Sequence, residues 1–202
     1  MTDYRRLCQT LPNPSGSGVI FVVQQVPHPL QPLLLDPNGH PLWLLDYSIT
    51  HTGTVVPQVL WSPQNVNDRK QHVVLADLQM PIFFTLQTGN LGISLDDAAN
   101  NRCQNLCDFR SQAQLGGKTT TYVRIGVGSS RTFKRQIQIK DETENRNPIT
   151  IGKFAQHLGR SVDAFLQVNP GRINRTNIKL IGAIHVSAGC WMPILQLDLY
   201  VF

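Results

Sequence analysis

The chain has 202 residues, 41% of them hydrophobic and 15% charged, with 15 Gly and 13 Pro. That apolar content can bury a core and excludes a disordered chain, and the frequent Gly and Pro exclude a bundle of a few long helices. The net charge of +5 falls short of the dense basic stripe of a dedicated nucleic-acid binder, yet it suits an acidic partner.

Residues 1–18 end in Pro-Asn-Pro-Ser-Gly-Ser-Gly and read as a flexible leader, with one domain expected over 19–202. The first eight residues contain no apolar signal region, and runs such as Val19–Val23 are too short to cross a bilayer. With four cysteines (Cys8, Cys103, Cys107 and Cys190) in a chain of this size, the expectation is a cytosolic protein with reduced thiols and no membrane span.

Val19–Val23 is β-branched and aromatic and reads as a buried strand, followed by an extended Pro-rich stretch from Pro27. Asp36-Pro-Asn-Gly-His is a turn sequence between two Leu-rich runs and predicts a hairpin. Thr54 to Trp61 reads as a further strand, and Asn67 to His72 as an exposed polar segment. Val73 to Leu86 is the most apolar region, and Pro81 inside it predicts an edge or bulged strand. Ser94, with Asp97 three residues on, predicts the capped start of a short helix running towards Cys107.

Thr119 to Val127 and Phe133 to Lys140 read as strands. In the second, Phe133, Arg135, Ile137 and Ile139 share one face, while Lys134, Gln136, Gln138 and Lys140 share a polar one. Ile151, Phe154, Ala155, Leu158, Val162, Phe165 and Leu166 then recur at a period near 3.6, the apolar stripe of a helix. Thr150 caps it, and Gly159 followed by Ser161 predicts a break into two short helices before Asn169-Pro-Gly ends the second. Two closing strands, Ile178–Ser187 and Trp191–Phe202, flank Ala188-Gly.

No motif implies a cofactor. Gly116-Gly-Lys-Thr-Thr lacks the upstream Gly of a phosphate loop, Gln112 standing there, and leads into a strand, not a helix. Cys103 and Cys107 have no second ligand pair at metal-site spacing. The segment Val162–Val168 carries Asp163 and no Lys or Arg, so it does not suit a DNA recognition helix. No Gly-x-Ser-x-Gly or HExxH motif occurs, so an enzyme is not expected.

From Arg135 onward the order strand, helix, helix, strand, with Ile149-Thr-Ile-Gly-Lys-Phe-Ala-Gln-His-Leu-Gly-Arg-Ser-Val-Asp-Ala-Phe-Leu-Gln-Val-Asn-Pro-Gly, is similar to lysin-motif (LysM) domains over residues 135–187. That resemblance implies binding of N-acetylglucosamine polymers such as chitin. Across roughly residues 55–202, Leu78-Gln-Met-Pro-Ile-Phe-Phe, Leu115-Gly-Gly-Lys-Thr-Thr, Phe133-Lys-Arg-Gln-Ile-Gln-Ile-Lys-Asp-Glu-Thr and His185-Val-Ser-Ala-Gly-Cys-Trp-Met-Pro-Ile-Leu-Gln-Leu resemble uncharacterised proteins abundant in mushroom-forming fungi. This second likeness implies no activity, cofactor or catalytic residue.

The resulting expectation is an α+β fold, a mostly antiparallel sheet with a helix pair at about 150–168 packed on one face. The expected function is non-enzymatic binding in the cytosol of an unidentified ligand, a protein or glycan partner and not a membrane, with chitin-type glycan binding through the LysM-like unit or weak nucleic-acid binding as alternatives. The candidate contact residues are Arg131, Lys134, Gln136, Gln138, Lys140 and Arg146, a run of cations and amides along one strand and its flanks.

Overall fold

The computed structural model describes residues 48–49, 53–56, 58, 61, 63, 65–76, 78–79, 81–127, 132–170 and 173–197. The leader, the strand at Val19–Val23, the Asp36–Gly39 hairpin, Arg131 and the end of the last expected strand lie outside these residues.

The fold is α+β, built on a mostly antiparallel sheet with eight strands among the described residues. The strands are β1 (Ser48–Ile49), β2 (Gly53–Val55), β3 (Ile82–Phe83), β4 (Ile93–Ser94), β5 (Thr120–Ile125), β6 (Phe133–Gln138), β7 (Ile178–Ser187) and β8 (Cys190–Leu197). The helices are α1 (Val66–Arg69), which runs on into a π-type turn at Lys70–Val74, α2 (Leu95–Ala99) and α3 (Ile151–Val168), with a 3-10 turn at Arg175–Asn177. No helix among the described residues is long and apolar enough to cross a membrane.

The β7–β8 hairpin is the centre of the sheet. Both strands are buried almost throughout, as their near-continuous apolar sequences require. β7 pairs with β8 along one side and with the short strands β3 and β4 along the other. Gly182 makes the β3 contact possible, since a Cβ there would lie within 2.2 Å of the Ile82 carbonyl oxygen. β8 changes partner along its length. Its start pairs parallel with β5 through Cys190 and Trp191, and its end pairs antiparallel with β2 through Gln196 and Leu197. Pro193, which has no N–H for a ladder, sits at this fork, and its carbonyl accepts the buried Gln58 amide at 2.6 Å.

α3 covers one face of the sheet. Phe154, Ala155, Leu158, Val162 and Phe165 are fully buried. Phe154 meets Trp191 edge-on at 5.4 Å between ring centroids, and Phe165 meets Phe133 at 6.3 Å. Truncating an aromatic side chain in such a core typically costs about 3–5 kcal/mol. Thr150 caps the helix, accepting from the Lys153 N–H, and the helix stops before Asn169.

The expected break at Gly159 does not occur: α3 is one continuous helix. Gly159 is there for space. A Cβ on it would lie 2.6 Å from the Ala99 nitrogen, so the missing side chain lets α2 rest on α3. Ser161 is likewise no cap, its hydroxyl donating to the His157 carbonyl one turn back. α2 is also shorter than expected. Ser94 caps it by accepting from the Asp97 N–H, but the chain leaves the helix at Asn100 and turns through Asn101 at φ 62°, a conformation asparagine tolerates.

Two other expectations change. The apolar stretch from Val73 divides between the π-type turn and the two-residue β3, with Pro81 immediately before the strand that runs along the outer side of β7. Residues 67–72 are polar and mostly exposed, as expected, but helical, because Asn65 caps α1 through the N–H groups of Asn67 and Asp68.

Candidate functional site

β5 and β6 alternate as half-buried strands do. Thr121, Val123 and Ile125 of β5 and Ile137 of β6 point into the core beneath α3. Thr120, Tyr122 and Arg124 of β5 and Lys134, Gln136 and Gln138 of β6 therefore share the opposite face. The register sets them in three rows: Thr120 opposite Gln138, Tyr122 opposite Gln136, and Arg124 opposite Lys134. β5 supplies the half-buried side of this face, β6 the exposed side.

The last row places two cations directly across from each other. Cβ atoms in such pairs lie about 4.5–5.5 Å apart, and like charges there are destabilising. Neither cation pairs with a carboxylate among the described residues. Each rests on an aromatic ring instead. The Arg124 guanidinium carbon lies 3.9 Å from the centroid of Trp61, and the Lys134 ammonium 3.8 Å from that of Tyr122. Trp61 is positioned by its backbone N–H, which donates to the Met192 sulfur at 3.3 Å. The Gln136 amide donates to the Thr120 hydroxyl at 3.0 Å, tying the neighbouring rows together.

Cys190 adjoins this face, opposite Tyr122 in the parallel pair. Burial pushes its thiol up to about 12, although the Arg124 and Lys134 cations nearby both pull the other way. A thiol so protonated is no nucleophile. Cys103 is also buried and its pKa raised, chiefly by burial. Cys107 is exposed on a turn, not on a helical face shared with Cys103. Among the described residues no group of three His, Cys, Asp or Glu side chains is placed to hold a metal.

Of the six residues singled out from sequence, Lys134, Gln136 and Gln138 stand together on the exposed face of β6. Lys140 and Arg146 are set apart from the strand. Lys140 is half-buried in a single bridge with Pro148, and Arg146 lies at φ 46° in the intervening turn. That turn is organised by Asp141, whose carboxylate accepts from the Thr143 N–H and hydroxyl and the Asn147 N–H. Arg135, on the core-side parity, escapes burial by donating to the Arg160 carbonyl at the α3 surface.

Tyr122, Arg124 and Trp61 complete the face and were absent from the sequence selection. The alternation Thr120, Tyr122, Arg124 was visible within an expected strand. Its register against β6 was not, and Trp61 arrives from more than 60 positions away. Compared with protein-family models, curated proteins and solved structures, the chain finds no match.

Proposed function

We propose that this protein is a non-enzymatic binding protein whose contact surface is the β5–β6 face, and that its partner is anionic. The observation that carries this reading is the opposition of Arg124 and Lys134 without a carboxylate between them. Sheet stability alone disfavours such a pair by roughly 0.2–1 kcal/mol. The aromatic rings return an amount of the same order, about 0.5–1 kcal/mol each at exposed sites. The arrangement therefore gives the fold little and gives an incoming anion two preset donors.

The described titratable groups support a binding role over catalysis. Cys190 is held protonated, and His157 sits on α3, which packs against the other face of the sheet. The three described cysteines are unpaired, which suits the cytosol. The LysM-like glycan reading is less favoured, because the continuous α3 does not offer a turn between two helices at Gly159.

The test is recovery of partners on immobilised wild-type protein and on Lys134→Glu and Arg124→Glu variants. Loss of a partner from both variants supports the reading. Retention of every partner by both would discard the surface.

A further inference from the structure

Building on that proposal, the geometry points to single-stranded nucleic acid as the partner, with the row Trp61, Arg124, Lys134 and Tyr122 as its binding platform. The inference turns on what each half of a cation–aromatic pair can gain. Both rings have a face occupied by a cation, at 3.9 and 3.8 Å. A neutral sugar stacking on either ring would have to displace that cation and offers it no countercharge. An acidic peptide would draw the cations away and leave two uncovered rings. A single strand satisfies both halves: its phosphates take the cations and its unstacked bases take the ring faces.

The spacing agrees. Side chains at i and i+2 on a strand are about 7 Å apart, so Tyr122 and Arg124 alternate ring and cation along β5, and Lys134 doubles the cation across the register. The exposed amides of Gln136 and Gln138 continue the face and can donate to and accept from base edges. The net charge of +5 adds a weak long-range attraction. A duplex, whose bases are already stacked and paired, offers the cations phosphates but the rings nothing.

Fluorescence anisotropy of the full chain with labelled twelve-nucleotide oligo-dT and oligo-U tests this, against a duplex of equal length and poly-glutamate. The single strands should bind, and more tightly than the duplex or poly-glutamate. Tyr122→Ala should weaken them about 5- to 150-fold, the usual range for losing one stacked base, whereas Tyr122→Phe retains binding. Lys134→Gln should lower the slope of log K against log salt by about 0.7. Thermal melts of each variant separate loss of binding from loss of fold. Equal affinity for duplex or poly-glutamate, or no effect of a folded Tyr122→Ala variant, overturns the single-strand inference and leaves an anion-binding face. Absence of oligonucleotide binding also overturns it. In that case the partner-recovery experiment above decides separately whether the face binds anything.

Discussion

Gly159 in α3 lies so close to Ala99 in α2 that a Cβ on the glycine would stand 2.6 Å from the alanine nitrogen and 2.9 Å from the Ala98 Cβ. Backbone atoms cannot rotate away as a side chain can. Helix propensity alone would favour Gly159→Ala by up to about 1 kcal/mol. Overpacking a tight contact costs about 1–3 kcal/mol, and here it dominates. Gly159→Ala should therefore lower stability, read as the denaturant midpoint. Gly117→Ala is the control, since nothing lies within 4 Å of its Cβ position, and it should be neutral or slightly stabilising. A raised midpoint for Gly159→Ala would show that the two helices are not in close contact.

Lys134→Glu should leave the fold within about 0.5 kcal/mol of wild type while abolishing partner binding. The substitution replaces a like-charge pair opposite Arg124 by an attractive one, a gain of the order of 0.2–1 kcal/mol. It also removes the ammonium from the Tyr122 ring, a loss of similar size. A melt showing several kcal/mol of destabilisation would mean that Lys134 holds the sheet together and that any binding defect is indirect.

His157 gives stability a pH dependence with a defined sign. Burial lowers its pKa to about 4, and the nearby Lys153, Arg160 and Arg135 cations act in the same direction. An unfolded histidine titrates near 6.5, so the unfolded chain takes up the proton first. The stabilising contribution is whole above pH 6.5 and is lost as pH falls from there to about 4. Midpoints measured at pH 7, 5.5 and 4.5 should fall more steeply for wild type than for His157→Gln. Parallel curves would rule out His157 as the source.

Asp141 acts in a lower window. The Thr143 hydroxyl, with the Thr143 and Asn147 N–H groups, holds its carboxyl below the usual carboxylate value of 3.8. Its contribution is present above that value and is lost as pH falls through the depressed one. Asp141→Ala should speed hydrogen exchange at the Thr143 and Asn147 amides, leaving the central strands protected. Unchanged exchange at both amides would mean the turn is held by its backbone alone, through Asp141 N–H to the Asn147 carbonyl.

The features legible in the sequence were those encoded over short distances. The apolar stripe of α3, its Thr150 cap, the Ser94 cap and the alternation of Phe133–Gln138 needed only local periodicity. The hairpin of β7 and β8 was visible because its strands are apolar on both faces and flank a small turn. Gly159 was misread because a glycine in a helical pattern marks a stop in one context and a close approach in another. Only the partner, Ala99, decides between them. The site was half-read for a similar reason. β6 announces its polar face, but Arg124 and Trp61 acquire meaning only from a register and a long-range approach that no local pattern contains.

The fork at Pro193 also bears on how the chain folds during synthesis. β8 is hydrogen-bonded to β2, β5 and β7, and each of these precedes it on the chain. β2 and β5 thus have no shared partner until residues 190–197 emerge from the ribosome, and β3 and β4 must wait for β7. Pairings between strands so far apart on the chain form slowly, and the waiting strands leave edges open to other chains. Until β7 and β8 have both been synthesised, β2, β3, β4 and β5 cannot join into one sheet.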